Sequence, residues 1–238
     1  MTTRNRSSRT LHFQLRSPTS YIRDVEFFCY AATAVGAYLL GSIPTGFLVA
    51  RARGVDIRTV GSGNIGATNV LRVLGRPAGI AVLTIDFLKG LLACGLLPYF
   101  IFSASQFDHA GPDRVMPSMV AAFAAVLGHN YTCWLRFKGG KGIATSAGVL
   151  AALVPWTLLI ILSVWIVVFA TTRFVSIGSI AAAVTLPFAT WFTTKDWTLT
   201  AATGALGVLA IYKHKGNIQR LLNGTEPRFT RKPREATQ

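Results

Sequence analysis

The sequence predicts an all-α polytopic integral membrane protein: seven transmembrane helices, a short interfacial helix, and polar loops gathered on the cytoplasmic side. Three observations carry this. Of 238 residues, 51% are hydrophobic and only 14% are charged, where a soluble domain has about a quarter charged. The chain nonetheless holds 24 Lys+Arg against 9 Asp+Glu, a formal charge of +15. Nearly all of that charge falls between apolar stretches long enough to cross roughly 30 Å of hydrocarbon. A nucleic-acid binder of this charge needs a polar, Lys/Arg-studded surface, and a disordered basic chain lacks aliphatic residues. Both are excluded. Cys29, Cys94 and Cys133 stand apart in apolar surroundings, without metal or disulfide spacing, and read as small hydrophobes.

Residues 1–26 form a basic N-terminal extension with five arginines against Asp24 and Glu26. Its composition is that of a disordered tail, and it also shares the Arg/Ser/Thr-rich, acid-poor character of a transit peptide. The membrane domain follows over 27–227. Phe27 to Ala50 is the first span, and Ala78 to Phe102 the second, with Asp86 and Lys89 inside it. Met116 to Leu135 is the third. The run from Ser146 to Ala170 contains Pro155, which disfavours one straight helix, so it reads as two short helices. One kinked helix there would lower the count to six. Ser176 to Phe192 and Trp197 to Tyr212 complete the set, and 228–238 form a basic C-terminal tail.

Orientation follows from the Lys/Arg bias of short loops. Basic loops 51–76 and 136–141, with Arg173, alternate with the poor loops 103–115 and 193–196. This puts the C-terminus in the cytoplasm and the N-terminus outside. The five arginines of the extension oppose that orientation, but several internal segments outweigh one tail.

Five polar strings then fall on the basic side. GSIPTGFLVAR, Gly41 to Arg51, breaks the first span with Gly41, Pro44 and Gly46. A break frees backbone groups that need other partners, while the alternative is close helix packing through small residues. GSGNIGATNVLR, Gly61 to Arg72, interleaves glycines with Ser62, Asn64, Thr68 and Asn69, a suitable anion nest. The apolar pattern from Val70 to Leu74 suggests the short interfacial helix, whose N-terminal dipole favours the same anion, and Arg72 adds a bidentate donor. In GHNYTCWLRFKGGKGIATS, Gly128 to Ser146, Lys138 and Lys141 sit on a glycine turn before a helix. It is not a Walker A loop, because Gly142 follows Lys141. Lys138 reads as a membrane-surface anchor, Lys141 as the functional lysine, and His129 as a packing or hydrogen-bonded residue in preference to a base.

In RFVSIGSI, Arg173 to Ile180, Ser176 reads as a helix cap and Ser179 as a further hydroxyl. In KHKGNIQRLLNGTEP, Lys213 to Pro227, His214, Asn217 and Arg220 recur at helical spacing. Lys215, Arg228, Arg231, Lys232 and Arg234 read as a snorkelling collar. No string pairs a covalent nucleophile with a base, and none holds a metal-ligand set. Their shared property is multidentate anion binding beside lipid. A transporter for a phosphorylated metabolite would share it, but the internal duplication typical of transporters is not found.

GSIPTG, GSGNIGATN…R, GH…FKGGKGIAT and HKGNIQRLLNGTE, in this order and spacing, resemble the PlsY family of acyl-phosphate–glycerol-3-phosphate acyltransferases over about residues 27 to 227. The resemblance implies a bacterial inner-membrane enzyme with cytoplasmic active-site loops. It would move a fatty acyl group from acyl phosphate to the 1-hydroxyl of sn-glycerol 3-phosphate, giving lysophosphatidic acid and phosphate. It implies the bilayer as surroundings, no cofactor or metal, no acyl-CoA or acyl-carrier protein, and no obligate protein partner. The HxxxxD signature of other glycerolipid acyltransferases is absent, since Trp134 follows His129 at that spacing and Gln219 follows His214.

Carried onto matching positions, the resemblance makes Ser62, Arg72, Lys141, His214 and Asn217 catalytic. Gly63, Asn64, Thr68, Asn69, Gly139, Gly140, Gly142 and Ser179 would bind substrate. Ser62, Thr68, Arg72, Lys141 and Ser179 would line the phosphate pocket, and the Gly139–Gly142 turn would cradle a phosphoryl group with its N–H groups. His214 and Asn217 would hold glycerol 3-phosphate. The hydroxyl proton would pass to a substrate phosphate or to His214. An N-terminal extension of this length departs from what such a protein needs.

Overall fold

The computed structural model describes residues 18–105 and 115–229. The arginine-rich tail through residue 17, most of the expected outer loop (106–114) and the tail from residue 230 lie outside the described residues. Among the described residues there are eleven α-helices, one 3-10 turn and no strand. The first helix, α1 (Pro18–Ser42), starts upstream of Phe27, inside the stretch read as an extension.

Proline sets most of the breaks. The span expected as one helix over 27–50 is two, because α1 ends before Ile43–Pro44 and α2 (Thr45–Arg51) restarts after them. Proline disfavours helical backbone at the residue before it. After α3 (Ala67–Leu74), the second span also divides, into α4 (Arg76–Gly95) and α5 (Leu97–Ala104), with Pro98 in the first turn of α5. α6 (Val115–Asn130) stops short of the expected Leu135, and Cys133–Leu135 form a 3-10 turn. Pro155 divides the next run as expected, into α7 (Ile143–Leu153) and α8 (Pro155–Thr172). α9 (Val175–Thr194), α10 (Trp197–Lys213) and α11 (Lys215–Leu222) follow. The interfacial helix of the sequence reading is α3.

Among the described residues, four helical stretches are long and apolar enough to cross a membrane: Arg23–Arg51, Arg76–Ala104, Pro155–Thr172 and Val175–Thr194. α6, α7 and α10 are shorter, and α1 packs on α6, α4 on α7, and α9 on both α8 and α10. The buried centre is made of small residues such as Ala37, Ala93, Ala121, Ala122 and Ala125. Small residues let helix backbones approach where lipid removes any hydrophobic drive between helices. Gly41 lies against the backbone of Ala125, and Gly148 against Phe87, with no room for a Cβ at either. The close-packing reading of Gly41 therefore holds. Large apolar side chains face outward, with Phe188, Phe192 and Trp197 each more than 70% exposed.

Candidate active site

Four of the five polar strings meet at one cavity of about 350 Å³. The glycine string enters as a loop held by Asn69. Its Nδ2 donates to the carbonyls of Ile57, Val60 and Asn64, and its Oδ1 accepts from the Ser62 N–H at 2.9 Å. Asn69 thus spends its polar atoms on the loop, and Asn64 caps the Gly66 N–H at 2.9 Å. Ser62, Asn64, Thr68 and Arg72 line the cavity, where α3 begins.

Four helix starts line this space. Gly66 to Thr68 belong to α3, Gly142 to Ala144 to α7, Val175 and Ser176 to α9, and His214 and Asn217 to the α10–α11 junction. Each first turn leaves N–H groups without intrahelical partners and carries the positive end of the helix dipole. With the Arg72, Arg220 and Lys141 side chains, they make this end of the cavity a receptor for anions.

Burial holds the Lys141 ammonium down to about 8, as Arg220 and Arg72 also do, while the charge of Glu226 opposes them. Burial likewise holds His214 down to about 4, with the charge of Lys141 adding to it. His214 is therefore neutral at physiological pH. Its Nδ1 lies 2.8 Å from the Ala210 carbonyl, which can only accept, so Nδ1 carries the proton and Nε2 is left as an acceptor.

Glu226 organises the last string. Its Oε1 accepts from Ser176 Oγ at 2.8 Å and Asn217 Nδ2 at 2.6 Å, and its Oε2 from Arg220 Nε at 2.8 Å. Burial pushes this carboxyl up, yet those hydrogen bonds outweigh it and hold it below its ordinary range. Ser176 is thus no helix cap: Phe174 holds the cap position of α9, and the Ser176 hydroxyl serves Glu226. The Glu226 segment spans the site's edge, where Arg72 Nη2 donates to the Pro227 carbonyl at 3.3 Å and the Phe229 N–H donates to the Arg173 carbonyl at 2.9 Å. Nothing local in the sequence marks Glu226, since its partners are up to 50 residues away.

Lys141, Gly142, Ser179, His214 and Asn217 all line the cavity as expected. The Ser179 hydroxyl already donates to the Val175 carbonyl and accepts from Trp165 Nε1 at 3.3 Å. Three glycines do not line it. Gly63 donates its N–H to Val60, and the Gly139 and Gly140 N–H groups donate to the carbonyls of Asn130 and His129. The expected cradle of Gly139–Gly142 amides is corrected: two of those amides bind the end of α6, and only Lys141 and Gly142 face the space. Lys138 is exposed, as a surface anchor should be.

Away from these helix ends the lining is apolar: Leu150 on α7, Leu186 on α9 and Leu206 on α10 each lie about two turns from the polar residues at the ends of their helices, and Leu158, Ile161 and Leu162 of α8 join them. The cavity therefore joins an anion receptor to an oily trough.

Comparison with known proteins agrees. The family profile of glycerol-3-phosphate acyltransferases matches residues 31–224. This chain belongs to that family. The glycerol-3-phosphate acyltransferase of Geobacter sulfurreducens is 49% identical over 199 residues, covering 83% of this chain and 95% of that protein. The one from Fusobacterium nucleatum is 46% identical over 204 residues, 85% and 98% of the two chains. The crystal structure of PlsY (YgiH), an integral membrane glycerol 3-phosphate acyltransferase, in its glycerol 3-phosphate form matches with a TM-score of 0.74. Identity there is 37%, covering 87% of this chain and 96% of that one. Its lysophosphatidic acid form gives a TM-score of 0.72 at 36% identity. Family membership and the apolar helices together make the chain an integral membrane acyltransferase of phospholipid synthesis.

Proposed function

We propose that the protein transfers a fatty acyl group from acyl phosphate to the 1-hydroxyl of sn-glycerol 3-phosphate, releasing lysophosphatidic acid and inorganic phosphate. It does so from the cytoplasmic face of a bacterial inner membrane that its membrane domain crosses seven times. The supporting observation is the joined cavity, with phosphate donors at one end and an aliphatic wall for the acyl chain at the other. Its relatives are named glycerol-3-phosphate acyltransferases, a name that leaves the acyl donor open, and one is known in glycerol 3-phosphate and lysophosphatidic acid forms.

The chemistry needs no enzyme nucleophile, because acyl phosphate is a mixed anhydride and already activated. The glycerol 1-hydroxyl oxygen attacks the acyl carbonyl carbon, and the carbonyl carbon–phosphate oxygen bond breaks. The hydroxyl proton passes to a substrate phosphate oxygen. His214, held to about 4, is a weaker base than a phosphate monoester with a second pKa of about 6. Its Nε2 instead accepts a hydrogen bond from a glycerol hydroxyl and orients it. Arg72, Lys141, Ser62 and Thr68, with the N–H groups opening α3 and α7, neutralise the two phosphates, and Asn217 adds a donor beside His214. Positioning and charge neutralisation then supply the rate.

Detergent-purified protein given acyl phosphate and glycerol 3-phosphate should release phosphate and lysophosphatidic acid in equal amounts. Transfer from acyl-CoA with none from acyl phosphate would overturn the donor assignment. His214→Gln should lose turnover yet keep the shape of the acid limb. Disappearance of that limb would make His214 the base.

A further inference from the structure

Two charged residues of the second span and one histidine have no part in the mechanism above. Asp86 and Lys89 stand one turn apart on α4, both at most 3% exposed, with Nζ and Oδ1 2.9 Å apart. His129, near the end of α6, is 5% exposed and holds its Nδ1 3.7 Å from Asp86 Oδ1. Ionisable groups this deep among membrane helices are expensive and are retained for a task. We propose that Lys89, Asp86 and His129 form a positioning relay that fixes the height of the Lys141 turn above the cavity. The proposal rests on the reading that Lys141 binds a substrate phosphate.

The links follow one another in space, and the one between Asp86 Oδ1 and His129 Nδ1 is a 3.7 Å charge approach and not a hydrogen bond. Lys89 Nζ donates to the Ile43 carbonyl at 2.8 Å, an oxygen at the Pro44 break between α1 and α2 that also accepts from the Thr45 N–H at 3.0 Å. The same ammonium pairs with Asp86, whose carboxylate faces His129 Nδ1 and favours a proton there, leaving the Nε2 lone pair. That Nε2 lies directly beneath Gly140, where a Cβ would collide with it, and the His129 carbonyl accepts the Gly140 N–H at 3.0 Å. The next residue is Lys141. One position beyond Lys89, Gly90 lies against the Thr145 backbone in the first turn of α7, so the same face of α4 also sets that helix start. Asp86 and His129 reach the cavity lining and Lys89 does not, as expected of a brace seen from its working end. The relay also gives the Gly41–Arg51 string its function, since its broken helix supplies the carbonyl on which Lys89 rests.

The test measures Lys141 in two ways. Steady-state kinetics give KM for glycerol 3-phosphate and the alkaline limb of activity, and competitive amine labelling read by mass spectrometry gives the Lys141 titration without requiring turnover. The groups around Lys141 are Arg72, Arg220, Glu226 and His214, and none is altered. His129→Gln removes the relay's contact with Asp86, and Gly140→Ala pushes the turn directly, so each checks the other if one variant folds poorly. Both should raise KM or lower kcat/KM on the order of tenfold or more. Both should also move the Lys141 titration upward from about 8 as the loosened turn admits water. An unchanged titration with activity falling only in step with folded protein would reduce the cluster to a structural brace and overturn the inference. Full activity in Lys141→Ala would instead overturn the reading on which it rests, leaving the labelling result to stand alone.

Discussion

Two ion pairs of nearly equal length reach the same cavity from different depths. Lys89–Asp86 at 2.9 Å lies deep between helices, with both side chains 3% exposed. Arg220–Glu226 at 2.8 Å lies at the rim of the cavity, with the arginine 38% exposed. Distance alone cannot separate them, but burial does. The inner pair is a fixed strut, because either charge left alone would be stranded away from water. The outer carboxylate collects three donors, from Ser176, Asn217 and Arg220, on the lining that an anionic substrate would use. A donor set can be shared with a substrate only where water or ligand can replace the partner.

The largest expected effect breaks the inner pair. Lys89→Met leaves Asp86 without its ammonium partner and the Ile43 carbonyl with only the Thr45 N–H, and should cost about 3–5 kcal/mol of stability. Thermal unfolding in detergent measures it. The double variant Lys89→Met/Asp86→Leu should regain most of that loss, because an apolar pair fills the site without desolvated charge. A double variant no more stable than the single one would show that the carbonyl contact, and not the charge balance, dominates.

Next in size are effects on Lys141. Its free-site value of about 8 means that it is charged below that pH and loses charge as pH rises through it. Affinity for glycerol 3-phosphate should therefore be full near neutrality and fall above pH 8. Lys141→Arg should abolish that fall if it binds at all, since guanidinium stays charged. At the outer pair the two partners act with opposite sign. Glu226 supports the charge on Lys141 and Arg220 opposes it. Glu226→Gln should thus move the alkaline limb down, and Arg220→Gln should move it up. Limbs that shift the same way would show that these variants act by rearranging the site and not through its field.

Legibility in the sequence followed the same division between local and distant signals. Pro155 divides its run where the sequence places the break, and Pro44 ends α1 inside a stretch expected as a single span. The donor-rich strings announce themselves through glycine and hydroxyl content, and Ser62, Thr68, Arg72, Lys141, His214 and Asn217 do meet. The glycines of the lysine turn misled, because a glycine required for a bound phosphate and one required for a neighbouring histidine look alike in sequence. Gly140 is the second kind. Glu226 and Ser176 meet across 50 residues, for which neither string carries a mark. Asp86 and Lys89 offered a usable signal: opposite charges one turn apart inside an apolar span have few roles besides pairing with each other.

A third pair supplies the lower end of the scale. Arg58 and Asp56 form the shortest contact of the three, 2.7 Å, with a second hydrogen bond from Nε at 2.9 Å. The arginine also stacks 4.8 Å over the Phe47 ring. By contact geometry it should matter most, yet both side chains stand in solvent, 47% and 29% exposed. Water solvates the separated charges nearly as well, and salt screens what remains. Arg58→Ala should leave the melting temperature unchanged within error at physiological salt, and KM for glycerol 3-phosphate unmoved, since neither residue lines the cavity. A substantial drop in melting temperature would have to come from the Phe47 contact. Arg58→Leu, which keeps apolar cover over that ring, would then restore it where Arg58→Ala did not.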